Sequence, residues 1–336
     1  MKRVTIKDLA RMLNLSTSTI SRALSDHPDI SEATKNRVRK TAEEFHYTTN
    51  VHARLFRSQH SRLIALILPE INMFFTPNLI KGINKTIDSS KYSLIIFISN
   101  DSYKKEKELI KQCLSWAVEG VLISLSRETY NLDHLEPLSQ AGIKCILLDK
   151  ALENEKFRAV TIDSTEASYM ATSHLIKNGH TNILGIFGNP NFNISQERIK
   201  GYQKAMTEND IAVVEENIVS VDKSADLDFI LPPILNHNKN ITAIFAMSDE
   251  LLVKTLLHLN KLRISVYEEI SAIAISDGVY PYLTYPQITH VKDSGTKMGR
   301  NACTFLLDAI ADSSPSSGSG LVVSTKLVEL ESVKSI

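Results

Sequence analysis

Residues 5–24 read TIKDLARMLNLSTSTISRAL, and this stretch decides how the chain is organised. Thr5 and Asp8 stand at the spacing of a capping box, which opens a helix with Ile6, Leu9, Ala10 and Leu13 on one face. Asn14-Leu15 makes a tight turn, and Ser16 caps a second helix, Thr17 to Leu24, with Ile20, Ala23 and Leu24 turned inward. Ser31 caps a third helix, Glu32 to Phe45, whose Ala33, Val38, Ala42 and Phe45 are expected to close a three-helix core. If the second helix enters a major groove, its outer face carries Thr17, Ser18, Ser21 and Arg22. Short hydroxyl side chains at a helix N-terminus reach phosphate or base, and arginine suits bidentate contact with guanine, so Arg22 is the leading base reader. Taken alone, Ser16 to Ser21 read more readily as cap and surface hydroxyls than as DNA contacts.

Working outward, the charge is segregated. The formal net charge is zero, yet residues 1–62 hold twelve Lys or Arg against six Asp or Glu, so this segment carries +6 and residues 63–336 carry −6. A basic appendage on an acidic body fits a nucleic-acid contact segment, because neutralising phosphates supplies most non-specific affinity, but on charge alone it reads equally as a solvated charged terminus.

The chain has 336 residues, 43% hydrophobic and 23% charged, with 12 Gly and 10 Pro, which excludes a collagenous or wholly disordered protein. Apolar runs such as Leu63–Leu68 and Leu94–Ile98 are far shorter than the roughly 18 residues that span a bilayer. Met1 to Ala10 lacks the apolar core of a secretory signal, so a cytoplasmic, membrane-free protein is expected. Cys113, Cys145 and Cys303 are an odd, widely spaced set, and neither a disulfide nor a metal site is expected.

From Leu63 onward β-rich runs alternate with helical stretches: Leu63–Leu68, Leu94–Ser99, Gly120–Leu125, Lys144–Asp149, Ala159–Asp163, Asn182–Phe187, Thr242–Met247 and Ile270–Ser276. The alternation predicts parallel sheets, and the number of strands suits two doubly wound halves better than one sheet. Thr165 to Asn178, closed by Gly179, reads as a crossover helix. Asp312 to Gly320 reads as a loop before a last strand, Leu321 to Val328.

In such sheets ligands bind beyond the carboxyl ends of the strands. That rule names Asn72, Phe74, Phe75, Asn100, Asp101, Ser124, Ser126, Asp149, Asp163, Asn189, Ser248, Asp249 and Asp277. Carboxylates and amides beside one or two aromatic faces suit a polyhydroxylated ligand. Asp163 and Asp249 read equally as caps of the helices that come next.

The segments Val4 to Ala10, Leu15 to Leu24 and Val38 to Tyr47, with Asn50 and Ala53-Arg54, resemble the DNA-binding head of the lac-repressor family of bacterial transcription regulators. The resemblance implies that Thr17, Ser18 and Arg22 face bases, and it adds Thr5 and Ser16 to the DNA-contacting set. It also implies that Asn50 to Ser58 forms a hinge helix contributing Asn50, Ala53, Arg54, Phe56 and Arg57 to DNA. Phe56 stands at the position of the minor-groove wedge, where the family usually has Leu, and Leu55 beside it is a second candidate to insert.

Asn72-Met73-Phe74-Phe75, Val118 to Val121, His174 to His180, Arg198 to Tyr202 and Ser276-Asp277 resemble landmarks of the same family's body in the expected order. The resemblance implies an all-α helix-turn-helix head, a hinge helix, and an α/β body of two doubly wound parallel-sheet subdomains, the type I periplasmic-binding-protein fold. The expected boundaries are 1–48 for the head, 49–61 for the hinge and linker, and 62–336 for the body. Within the body, one subdomain spans 62–161 and 292–320, and the other 162–291 and 321–336. By family correspondence Arg198 and Asp277 hold effector hydroxyls, Phe75 packs on the effector, Ser248 replaces a common Asn, and Asp293 replaces a usual Gln. Asp101, Asp149 and Asp163 complete the expected effector set. Phe192 and Ile194 make the rim before Arg198 apolar.

The sequence has no Walker loop, no Gly-x-Ser-x-Gly elbow, no His-Glu-x-x-His and no dinucleotide fingerprint, so no catalytic residue and no cofactor are expected. The implied function is a sequence-specific repressor controlled by a small carbohydrate effector, acting as a homodimer on a near-palindromic double-stranded operator. A cytosolic carbohydrate-binding module or an α/β enzyme is the alternative, and it leaves the basic head unexplained.

Overall fold

Thr5 and Asp8 close the capping box in both directions: Thr5 N donates to Asp8 Oδ2 at 2.9 Å, and Asp8 N donates to Thr5 Oγ1 at 3.4 Å. In the computed structural model, residues 4–45, 47, 61–71, 74–149, 152, 156–311 and 320–336 are described. The chain forms two compact units, residues 1–61 and 62–336.

The first unit contains α1 (Ile6–Leu13), α2 (Thr17–Leu24) and α3 (Glu32–Glu44). Asn14 ends α1 in the left-handed region at φ 53°, and Ser16 and Ser31 accept hydrogen bonds from Thr19 N and Thr34 N as N-caps. Leu9, Leu13, Ile20, Ala23, Val38 and Ala42 form the core. Two expected core residues do not join it. Ala33 is exposed on the first turn of α3, and Phe45, just past its end, is 42% exposed. Arg37 Nη2 donates to Leu13 O at 2.9 Å and ties α3 to the end of α1.

The second unit contains two six-stranded sheets. The first uses β1 (Leu63–Leu68), β2 (Ser93–Ile98), β3 (Gly120–Ile123), β4 (Lys144–Leu148), β5 (Arg158–Ile162) and, from far down the chain, β11 (Leu321–Val323). Its order is β11-β5-β4-β3-β1-β2, all parallel. The second uses β6 (Ile183–Phe187), β7 (Ile218–Ser220), β8 (Ala243–Ala246), β9 (Ser271–Ser276), β10 (Thr289–Lys292) and β12 (Lys326–Val328). Its order is β12-β10-β9-β8-β6-β7, with only β12 antiparallel.

β1 shows why these strands read as continuous apolar runs. Ile64, Leu66 and Leu68 enter one core, Ala65 and Ile67 the opposite one, so both faces of the sheet are covered. On one face lie α4 (Thr76–Ile87) and α11 (Gly295–Ala311); on the other lie α5 (Tyr103–Ser115) and the short α6 (Glu136–Gln140). The second sheet is packed by α7 (Ser164–Lys177), α8 (Asn193–Glu208), α9 (Leu227–His237) and α10 (Asp249–Lys261). Glycines set two of the closest helix contacts. A Cβ on Gly82 would stand 2.2 Å from Thr296 O, and one on Gly201 would stand 2.1 Å from Thr165 O.

The expected last strand, Leu321 to Val328, is two strands in two different sheets. Residues 321–323 therefore belong to the first half, and the chain's last passage falls at Ser324-Thr325, not at 320–321. The backbone joins the halves three times: after β5 at Asp163, after β10 at Asp293-Ser294, and at Ser324-Thr325. The expected hinge, with Asn50, Ala53, Arg54, Phe56 and Arg57, lies outside the described residues, as does Asn72.

Candidate functional site

In the head, the outer face of α2 presents Thr17, Ser18 and Arg22 as exposed side chains, with Ser21 half-buried beside them. Ser16 is also exposed, but its hydroxyl is occupied: it accepts Thr19 N at 3.0 Å and lies 2.6 Å from Ser18 Oγ and 2.8 Å from Thr19 Oγ1. Thr5 is engaged in its own capping box, with Oγ1 donating to Asp8 Oδ2 at 2.6 Å. Asp26, one turn beyond Arg22, is taken by Lys35 at 3.1 Å and Arg39 at 2.7 Å. Arg22 thus makes no ion pair with a described residue and keeps its whole fork for an outside acceptor.

In the body, the carboxyl ends of the strands converge on a cleft between the two halves, with a cavity of about 590 Å³. A second cavity of about 470 Å³ shares Arg127, Asp149, Phe192 and Ile194 with it. Both volumes suit a small molecule. Of the eight residues expected to meet an effector, seven line the larger cavity: Phe75, Asp101, Asp149, Arg198, Ser248, Asp277 and Asp293. Asp163 does not. It caps α7, accepting Glu166 N at 2.8 Å, because a carboxylate directly before a helix meets free amides there first.

Several of the seven are held by local backbone geometry. Asn100, Asp101 and Asp149 leave β2 and β4 in the left-handed region, at φ 52°, 57° and 59°, which Asn and Asp tolerate better than other side chains. Asp293 leaves β10, and its amide donates to Ser276 O at 2.9 Å. Asp277 Oδ1 accepts Gly295 N at 3.0 Å, so this acid from the second half fixes the start of α11 in the first. Phe75 rests over Gly295, where a Cβ would approach its ring to 3.1 Å. Ser248 lines the cavity and also caps α10, accepting Leu251 N at 3.5 Å.

Arg198 is buried, with Nη1 donating to Met247 O and Nη2 standing 3.9 Å from Asp293 Oδ2. Four buried polar atoms in the cleft have no hydrogen-bond partner: Arg198 Nε, Asp249 Oδ1, Asp277 Oδ2 and Asp293 Oδ1. Such groups are costly unless something else satisfies them. Burial pushes the carboxyls of Asp249 and Asp277 up to about 6. Burial, reinforced by the Asp149 carboxylate and opposed by Arg198, pushes Asp293 up to about 7.

The structure adds a latch across the cleft that was not anticipated. Asp101 is paired with the Arg127 guanidinium and accepts Arg127 N at 2.7 Å. Arg127 Nη1 reaches the other half and donates to Asp222 O at 3.3 Å, and the Asp222 carboxylate accepts from Asn189. Phe74 N donates to Glu250 Oε1 at 3.2 Å, a second bridge. Asp101 therefore serves the latch more than a ligand. The loop that carries Arg127 is anchored below by buried Glu106, which accepts Ser126 N at 2.7 Å and Thr129 Oγ1 at 2.8 Å and lies 2.8 Å from His134 Nε2. Arg127 comes soon after β3 and Asp222 soon after β7, so the strand-end rule reaches both once the strands are known, but β7 is only three residues long and is not marked by an apolar run.

Residues 5–50 match the sequence profile of bacterial regulatory proteins of the lacI family, and residues 172–333 match a periplasmic binding protein-like domain. The chain belongs to the lacI family. It is 27% identical over 309 residues to the HTH-type transcriptional repressor PurR of Vibrio campbellii, covering 92% of each chain. Its fold matches that of a lac repressor dimer bound to operator and the anti-inducer ONPF, with a TM-score of 0.85, 18% identity and coverage of 99% of this chain and 100% of the other. It also matches the transcriptional regulator CelR in complex with cellobiose, with a TM-score of 0.72, 22% identity and coverage of 98% and 100%. This lacI-family protein is thus a DNA-binding transcriptional repressor with a helix-turn-helix head and an effector-binding body. The relatives are regulators by name, not enzymes. No helix among the described residues is long and apolar enough to cross a membrane, and no acid, His and Cys group among them is arranged to hold a metal ion.

Proposed function

We propose that this lacI-family repressor acts in the cytoplasm, nucleoid-associated when bound, as a homodimer on a near-palindromic operator controlled by a carbohydrate in the body's cleft. The observation that carries the reading is the set of unpartnered buried atoms on Arg198, Asp249, Asp277 and Asp293, because a ligand rich in hydroxyls both donates to the acids and accepts from the guanidinium. The CelR–cellobiose complex supports a carbohydrate.

On DNA, Arg22 reads a base in the major groove, with Thr17, Ser18 and Ser21 beside it and Thr5 and Ser16 near the backbone. By family correspondence Asn50, Ala53, Arg54 and Arg57 contact the duplex around Phe56, whose ring wedges a base step. The exposed apolar group Val279, Tyr282, Leu283 and Tyr285 on the body supports pairing of two copies, which presents two heads to two half-sites. Effector binding shifts the halves of each body and so biases the operator-bound state, and a coupling of about 1 to 3 kcal/mol changes operator affinity roughly 5- to 150-fold.

The test is selection of duplexes from a random library by the full-length protein, and then gel-shift titration with sugars. One enriched near-palindrome, with affinity moved by a sugar, is the expected result. No enrichment at several salt concentrations, with or without sugars, returns the weight to a carbohydrate-binding module or enzyme without specific DNA binding.

A further inference from the structure

The cleft has a charge imbalance that a neutral sugar does not answer. Eight carboxylates line the larger cavity against three cationic side chains. Two of the three cations are already engaged, Arg127 by Asp101 and Arg198 by Met247 O and Asp293, while Lys223 is exposed at the rim. An anionic ligand, such as a phosphorylated sugar, would find no free buried cation and would face acids on both halves.

The acids differ in what they lack. Asp149 faces the cavity half-buried. Asp249, Asp277 and Asp293 are each more than nine-tenths buried, and each keeps one carboxylate oxygen without a hydrogen-bond partner. They form one cluster: Asp277 N donates to Asp249 Oδ2 at 3.3 Å, and Asp293 experiences the charges of Asp149, Asp277 and Asp249. Among the described residues two cations face that group: Arg198, at 3.9 Å from Asp293 Oδ2 and with its Nε itself unpartnered, and Lys292, whose charge acts on Asp277. A neutral hydroxyl donates to one oxygen but leaves the mutual repulsion of the acids untouched. A compact cation with several donors does both, since an opposite charge within about 4 to 6 Å favours the ionised carboxylate.

Resting on the carbohydrate-effector reading, we propose that the effector is a polyhydroxylated amine, an amino sugar with a free ammonium. The ammonium sits among Asp249, Asp277 and Asp293, and the hydroxyls bond to Arg198 Nε and Asp149, while Phe75 covers an apolar face of the ring. Binding favours the ionised acids, and at neutral pH the proton released is chiefly the one Asp293 holds.

The experiment measures calorimetric binding to the full-length protein at neutral pH. The panel contains hexoses, pentoses and disaccharides, each beside its amino, N-acetylamino and phosphorylated derivatives. The expected result is that an amino derivative binds at least about tenfold more tightly than its neutral parent and its N-acetyl form. The preference shrinks in Asp293→Asn and in Asp277→Asn, whose folding is checked by melting. If one variant fails to fold the other carries the comparison, and if both fail the wild-type preference decides. Equal binding of the neutral parent, or tighter binding of the phosphorylated form, overturns the amine and leaves the carbohydrate reading standing. A preference that survives in both folded variants overturns the placement of the ammonium. Binding by no member of the panel overturns both readings.

Discussion

Asp293 makes the stability of the effector-free body depend on pH in an unusual direction. Its carboxyl lies near 7 in the folded chain against an ordinary 3.8, so the folded state holds this proton more tightly than the unfolded state does. Asp293 therefore favours folding fully below pH 3.8, and the contribution is lost as pH rises through 7. The groups facing it are Arg198 on α8, Asp149 after β4, Asp277 after β9 and Asp249 at the start of α10. Linkage with these two values gives a loss on the order of 2 to 3 kcal/mol between pH 5 and pH 8 from this one side chain. For a unit of this size that corresponds to a melting-temperature drop on the order of 5 °C. Asn is an uncharged near-isostere of the protonated acid, so Asp293→Asn removes that part of the slope. The assay is thermal melting of wild type and variant across this pH range in one ionic strength. The wild type loses stability relative to Asp293→Asn as pH rises, and the two curves converge toward low pH. Parallel curves, or a wild type that gains on the variant with rising pH, refute the buried-acid reasoning.

Arg22→Ala relaxes base preference at one operator position by about 1 to 3 kcal/mol, measured across operator variants; equal losses on every sequence show that Arg22 touches only phosphate. Asp277→Ala removes the response of operator affinity to effector, read by gel shift, and a normal response in a folded variant sinks its assignment to the effector. Gly201→Ala places a methyl 2.1 Å from Thr165 O and 2.9 Å from Ser168 Cβ, forcing α7 and α8 apart. It lowers stability by about 1 to 3 kcal/mol, and an unchanged melting temperature shows that the two helices separate freely.

Features governed by local forces were legible in the sequence. The three caps of the head, at Thr5, Ser16 and Ser31, each depend on side chains within three residues, and all three form as read. Long apolar strands such as β1 are equally legible because both their faces are buried. β10, Thr-His-Val-Lys, carries no apolar run, because its burial comes from distant partners: Thr289 and His290 are 0% exposed yet polar. Leu321 to Val328 reads as one strand, and only the positions of β5 and β10 divide it between two sheets. Asp163 and Asp293 look alike in sequence, each an acid directly after a strand. A helix begins immediately after Asp163 and captures it as a cap, whereas Asp293 is two residues short of α11 and turns into the cleft. The Arg127–Asp222 bridge joins residues 95 apart in two different halves, and no local pattern marks it.

The three backbone passages between the halves have a mechanical consequence. Three covalent straps allow the halves to swivel about a common axis while preventing them from sliding freely apart, so ligand binding is turned into rotation. One strap begins at Asp293, the acid with the least satisfied environment in the cleft. Whatever compensates that charge does so at the pivot itself, where a small displacement becomes a large arc at the far edge of the first half.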